Sequence, residues 1–226
     1  YLKQVDQLIV EQQVDAMDVF TGWESKNRYL IKNAAGQTVY YAVDQSDVLT
    51  MNVLGSSRPF DIVVMDNMQA VVMRVSRPYR GEGLGICGLV QEIQVMSGVG
   101  QVLGSIAEVW QCCAAKYQVK NATGETILFI EGPVYTFEYI DTDFDIVTVE
   151  GNSKVGAITR KFPGFAKQMF THADVFGVRF PMDLDPGIKA VLMAATFLID
   201  FMHYEKKTDD TEFNKDRERK RNERNN

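Results

Sequence analysis

The seventeen residues KAVLMAATFLIDFMHYE, from Lys189 to Glu205, decide the fold, because a helix this apolar has to be enclosed by something and the rest of the chain reads as strand. At about 1.5 Å per residue the helix reaches roughly 25 Å, short of the roughly 30 Å hydrocarbon core of a bilayer and of the about 20 residues a spanning helix needs. A turn of about 100° per residue collects Lys189, Thr196, Asp200 and His203 into one narrow stripe. The remaining circumference goes to residues such as Val191, Leu192, Phe197, Leu198, Ile199 and Phe201. A helix apolar on nearly every side is either a lipid span or the axis of a protein core. Asp200 near the lipid centre would cost about 2.5–3.5 kcal/mol on insertion scales, while Lys206, Lys207 and the RERKR run at 217–221 would stay cytoplasmic. Length favours the core.

A core helix needs a wall, and the chain carries its own copy of one. Residues 29–39 read YLIKNAAGQTV and residues 117–127 read YQVKNATGETI. Each is an alternating run, an Asn-Ala-x-Gly turn and a β-branched run, the pattern of a hairpin with a glycine-bearing loop. A second echo, FDIVVMDN from Phe60 and FDIVTVEGN from Phe144, has nearly the same offset and implies two similar halves. A further hairpin is expected at 91–110, where Ser97-Gly98-Val99-Gly100 separates two alternating runs. Six strands per half make about twelve, and sheets of that size curl or close. The expected fold is mainly β: a closed twelve-stranded barrel of two similar halves, threaded by its own C-terminal helix at 189–205. Residues 1–205 form this domain, and the charged tail at 206–226, with eight basic and six acidic residues, is expected to be disordered.

With 46% hydrophobic residues the chain can bury a full core. The net charge of −6 argues against nucleic-acid binding by the acidic body. Three cysteines, of which Cys112 and Cys113 are adjacent, form no disulfide framework or metal-ligand spacing and point to a reducing, intracellular setting. No basic, apolar leader opens the sequence at Tyr1, so secretion is not expected. The only histidines are His172 and His203, no nucleophile elbow or phosphate-cradling loop is present, and GEGLGICG at 81–88 lacks dinucleotide-binding spacing. No catalytic constellation is visible, and a soluble enzyme is the least favoured class.

Before the helix, FTHADVFGVRFPMDLD at 170–185 concentrates acidic residues around a glycine. Counted from His172, Asp174, Gly177 and Asp183 fall at the third, sixth and twelfth positions of a calcium loop, although His172 replaces the first carboxylate and two carboxylates imply weak binding. A plain strand and turn into the helix is the simpler reading.

From Asp6-Gln7-Leu8 to Glu205 the chain resembles the phospholipid scramblase family. The resemblance rests on NRYLIKN at 27–33, Gly55 through Arg58-Pro59-Phe60, Arg77-Pro78-Tyr79, and FTHADVFGVRFPMDLD followed by FLIDFM at 197–202. It implies a tubby-like barrel around a central helix, and calcium-triggered, ATP-independent movement of phospholipids between leaflets. It also implies a single membrane span for that helix, in conflict with a barrel axis. Calcium ligation carries over to Asp174 and Asp183, with Val178 as a backbone oxygen donor. Cys87 alone matches the family's palmitoylation cluster, and one acyl chain binds membranes marginally. The proline-rich arm of the family has no counterpart here, so partner binding through polyproline motifs is not expected. The implied partners are anionic phospholipids and a membrane surface, at the cytoplasmic face of the plasma membrane or on nuclear or other intracellular membranes. Protein partners and a homo-oligomer stay open. The alternative is a tubby-like module that binds membranes and proteins in signalling, transcription or vesicle traffic without transport.

Overall fold

The computed structural model describes residues 1–13, 27–45, 59–78, 91–110, 114–133, 143–151, 153–160 and 175–203. Twelve antiparallel strands close into one barrel: β1 (Gln7–Gln13), β2 (Arg28–Lys32), β3 (Thr38–Asp44), β4 (Phe60–Met65), β5 (Val71–Arg77), β6 (Glu92–Ser97), β7 (Val102–Val109), β8 (Lys116–Asn121), β9 (Thr126–Glu131), β10 (Asp143–Thr148), β11 (Lys154–Arg160) and β12 (Val175–Arg179). Each strand pairs with its sequence neighbours, and β12 pairs with β1 to close the wall. Closure leaves no strand edge open to another chain. The two sequence echoes each span six strands, from the β2–β3 turn to the β8–β9 turn and from β4 to β10, so the two similar halves are real.

Five hairpin turns, beginning at Asn33, Asp66, Ser97, Asn121 and Thr148, share one plan. The fourth residue of each has positive φ: Gly36 (78°), Gln69 (62°), Gly100 (84°), Gly124 (84°) and Gly151 (71°). Its N–H donates to the carbonyl of the first residue, and the strand register slips alongside. This is a tight turn closed by a bulge at a left-handed residue, where a missing Cβ removes the steric cost. Asn33, Asp66 and Asn121 each accept two backbone N–H groups of their own turn. The Asn-Ala-x-Gly repeat is thus two copies of a device used five times.

The helix α1 runs Pro186–His203, three residues earlier than the apolar run suggests. The reason is local: Asp185 Oδ1 accepts the Gly187 and Ile188 N–H groups at 2.8 and 3.2 Å, an N-cap, and Pro186 occupies the first helical position, which lacks an amide partner in any case. Every residue from Ile188 to Phe201 is at most 6% exposed. The wall meets α1 with alternate side chains, including Leu8, Ile31, Ile62, Val75, Val95, Ile106, Val119, Ile130 and Ile146. At Gly104 of β7 an added Cβ would lie 2.2 Å from the Lys120 carbonyl oxygen and 2.9 Å from Val191, so the bare backbone lets the helix approach. Outside, the wall carries ion pairs such as Lys116–Glu131 at 2.8 Å and Lys154–Asp145 at 2.6 Å. An apolar interior is the reverse of the polar lumen typical of a membrane-spanning barrel. Among the described residues no helix is long and apolar enough to cross a membrane.

Candidate functional site

The hairpin turns and the β12–α1 connection lie at the end of the barrel where α1 begins, and the last turn of α1 lies at the other. At the starting end, Lys189 is fully buried. Its Nζ donates to the carbonyls of Met182, Val5 and Leu2 at 2.6, 2.7 and 3.2 Å and lies 5.2 Å from the Phe180 ring centroid. The ammonium therefore ties the N-terminal 3-10 turn, Leu2–Gln4, to the helix. Beside it the Tyr1 and Tyr40 rings meet edge to face at 6.1 Å. Burial, then the nearby Tyr1 and Asp66, pushes the Tyr40 hydroxyl above its ordinary pKa, because a phenolate would lose hydration and face negative charge.

At the other end a collar of buried polar side chains surrounds the last turn of α1. Tyr29 Oη donates to Asp200 Oδ2 at 2.9 Å, and its ring packs on Phe197 at 4.9 Å. Phe60 stacks on Phe201 at 4.6 Å, with the Arg77 guanidinium 5.8 Å from the Phe60 centroid. Arg77 donates from Nε and Nη2 to Gln91 Oε1 at 3.0 and 2.6 Å. Gln12 Nε2 donates to Asn27 Oδ1 at 3.3 Å, and Asp44 N–H donates to the Asn27 carbonyl at 3.0 Å. Alternation brings these residues inward at the strand ends, where apolar packing gives way to hydrogen bonding. Sequence reading gave a polar role in this collar only to Asp200, although Asn27, Tyr29, Phe60 and Arg77 lie in the motifs that carry the family resemblance; polar residues continuing the inward parity of an apolar strand are the signal that finds the rest.

The polar stripe of α1 is consumed by these contacts. Lys189 and Asp200 bond as described, and Thr196 Oγ1 donates to the Met193 carbonyl at 2.7 Å; the His203 side chain lies outside the described residues. With the helix in place, Lys189, Thr196 and Asp200 form no open polar track.

Of the calcium-loop residues, Gly177, Val178 and Asp183 lie within the described residues. Gly177, expected at a sharp turn, sits in β12 opposite Ile9 and Thr159. Val178 is buried in the wall between Leu8 and Ile158, whereas Asp183 is exposed in the turn beyond the strand. Asp174, His172 and Cys87, and the tail at 206–226, lie outside the described residues. Among the described residues no three His, Cys, Asp or Glu side chains group as metal ligands. An open groove of about 470 Å³ on the outer wall is lined by residues including Ser76, Glu92, Gln94, Ser105 and Asn121.

The Scramblase family model matches residues 1–206. The chain belongs to the Scramblase family. It is 40% identical over 207 residues to phospholipid scramblase 1 of Mus musculus, covering 91% of this chain and 63% of that protein. It is 38% identical over 206 residues to phospholipid scramblase 2 of Bos taurus, covering 91% of this chain and 70% of the relative. To phospholipid scramblase family member 5 of Homo sapiens it is 34% identical over 206 residues, 91% of this chain and 76% of that protein. This Scramblase-family chain thus spans a little under two thirds of the length of phospholipid scramblase 1. No solved structure gives a significant match.

Proposed function

We propose that this chain is the barrel of a phospholipid scramblase, acting at the cytoplasmic face of the plasma membrane to move phospholipids in both directions between leaflets, without ATP and in response to calcium. The family match over residues 1–206, with relatives named phospholipid scramblases, carries the reading. Anionic phospholipids are among the substrates, Asp174 and Asp183 supply carboxylates toward calcium, and acylation at Cys87 adds one anchor. Barrel and helix stay together in this proposal. Removing α1 would expose fourteen consecutive buried residues, and at roughly 1.5–3 kcal/mol for each large apolar side chain the cost is comparable to or larger than the 5–15 kcal/mol stability typical of a domain.

One observation favours a second reading, a membrane- and protein-binding module without transport activity in signalling, transcription or vesicle traffic. Lys189, Thr196 and Asp200 are bonded within the barrel, so no polar lane along α1 is open to a headgroup. Reconstitution of the purified chain into liposomes carrying a labelled phospholipid separates the two. Calcium-dependent, ATP-independent appearance of label in the opposite leaflet supports the scramblase reading. Vesicle binding without flipping leaves the module, and absence of both defeats each reading.

A further inference from the structure

The polar stripe of α1 is closed, but the outer wall carries a polar row of its own. Ser76, Gln94, Ser105 and Lys120 are successive cross-strand partners on β5, β6, β7 and β8. Their chain neighbours Val75, Val95, Ile106 and Val119 are fully buried in the core, so alternation turns the row outward. Three strand spacings of about 4.8 Å make it roughly 14 Å long. Ser76, Gln94 and Ser105 line the groove of about 470 Å³ together with Glu92 and Asn121, and ligand sites typically enclose about 300–1,000 Å³. Among the described residues no hydrogen bond engages the side chains of Ser76, Gln94 or Ser105.

The charges beside the row are of both signs. Lys120 Nζ stands 3.9 Å from Glu92 Oε1 across β7, wider than Lys116–Glu131 at 2.8 Å and Lys154–Asp145 at 2.6 Å. So open and solvated a pair is weak, and a ligand can part it by offering an anion to Lys120 and a cation to Glu92. The other charges nearby have partners: Arg77 donates to Gln91, Glu125 accepts from Asn121 Nδ2 at 3.3 Å, and Arg74 lies 4.0 Å from Asp61. Two hydroxyls and an amide between an ammonium and a carboxylate suit a phosphate joined to an amine.

The duplicated half supplies an internal comparison. The YLIKN and YQVKN echo matches Lys32 to Lys120. Ile9, opposite Lys32, then matches Ser105, and Gly177, opposite Ile9, matches Gln94. Ile9 is 1% exposed, and Lys32 bonds directly to Glu11. The same wall position is apolar and buried there, so closing the barrel does not dictate the polar row.

We infer that this groove holds a phospholipid headgroup carrying both a phosphate and an amine, as phosphatidylserine and phosphatidylethanolamine do. Lys120, the Ser76 and Ser105 hydroxyls and the Gln94 amide meet the phosphate, and Glu92 meets the ammonium. The inference rests on the reading of this chain as a phospholipid scramblase, and it adds where the headgroup sits.

The test titrates the full chain with glycerophosphoserine, the lipid-free headgroup, while amide resonances are followed by nuclear magnetic resonance. Shifts are expected at Ser76, Gln94, Ser105 and Lys120. Ser105→Ile, which copies Ile9, and Lys120→Met are each expected to bind at least about tenfold more weakly, the loss of one charge-assisted hydrogen bond or of the space for it. Lys154→Met, on the outer wall of β11, is expected to bind as the parent does. Inorganic phosphate alone and ethanolamine alone are expected to bind at least about tenfold more weakly than the joined molecule. In the liposome assay the two groove variants are expected to slow labelled phosphatidylserine at least about tenfold, with an unchanged urea midpoint showing that the fold is kept.

No shift at the groove, inorganic phosphate binding as tightly as the headgroup, groove variants that bind as the parent does, or equal loss in Lys154→Met would each overturn the site. Soluble binding lost in both variants while they flip lipid at the parent's rate assigns the groove to a free phosphodiester and overturns its use by lipid, sparing transport. Headgroup binding at the groove without flipping by the parent sustains the site and defeats transport.

Discussion

Replacing Lys189 with methionine tests whether the start of α1 and the start of the chain are one unit. Methionine keeps most of the aliphatic length and removes the ammonium, which donates to Met182, Val5 and Leu2 at 2.6, 2.7 and 3.2 Å from a fully buried position. Hydrogen bonds to a charged donor contribute about 1.5–3 kcal/mol each, and a buried carbonyl left without its partner costs about 1–3 kcal/mol. Against this stands the effective cost of several kcal/mol for burying an ammonium, which the variant recovers. The carbonyls of Leu2 and Val5 lie in and just after the 3-10 turn before β1, and that of Met182 lies in the turn into α1. The net expectation is a loss of about 3 kcal/mol. With a urea slope near 2 kcal/mol/M this lowers the midpoint by roughly 1.5 M. Removing residues 1–5 in the parent and in the variant completes a double-mutant cycle. Because two of the three acceptors go with the segment, the combined loss is expected to fall short of the sum by about 1–2 kcal/mol. A Lys189→Met midpoint within error of the parent, or strict additivity with the deletion, would refute the tie.

Three further outcomes follow from individual contacts. Tyr29→Phe removes the 2.9 Å donor to buried Asp200 and is expected to cost about 1.5–3 kcal/mol in urea unfolding, with near-ultraviolet dichroism reporting the change around Phe197. Gly104→Ala forces a Cβ to 2.2 Å from the Lys120 carbonyl oxygen and is expected to lose about 1–3 kcal/mol or more; Gly124→Ala, where open space surrounds the added atom but φ is 84°, isolates the backbone cost of about 1 kcal/mol. The raised Tyr40 pKa means that the folded state holds this proton after the unfolded state begins to lose it near the ordinary value of 10.0. Its contribution is therefore present below that pH and is lost as pH rises through the folded value. Urea midpoints at pH 9 and pH 11 are expected to fall less steeply in Tyr40→Phe than in the parent.

The wall and its axis were legible in the chain because they depend on local patterns. Period-two alternation, the Asn-Ala-x-Gly turns and an all-round apolar run each report a backbone state through neighbouring residues, and the six-strand offset of the two echoes follows from the repeat. The turns at Asp66 and Ser97 use the same bonds with different residues, so repetition of letters alone did not expose all five.

The segment before α1 shows what residue spacing alone leaves open. His172, Asp174, Gly177 and Asp183 fit loop positions by count, yet Gly177 pairs with Ile9 and Thr159, because β12 is the strand that closes the barrel. Nothing within that segment records its pairing with β1, which lies at the other end of the described sequence. The sequence by itself determined a strand-rich chain with one apolar helix too short for a comfortable span, since those properties live in neighbouring residues. Only the tertiary structure decided that Asp200 meets Tyr29 and that Lys189 holds the segment before β1. Those juxtapositions arise when the ring of strands closes, and closure joins residues that no local pattern relates.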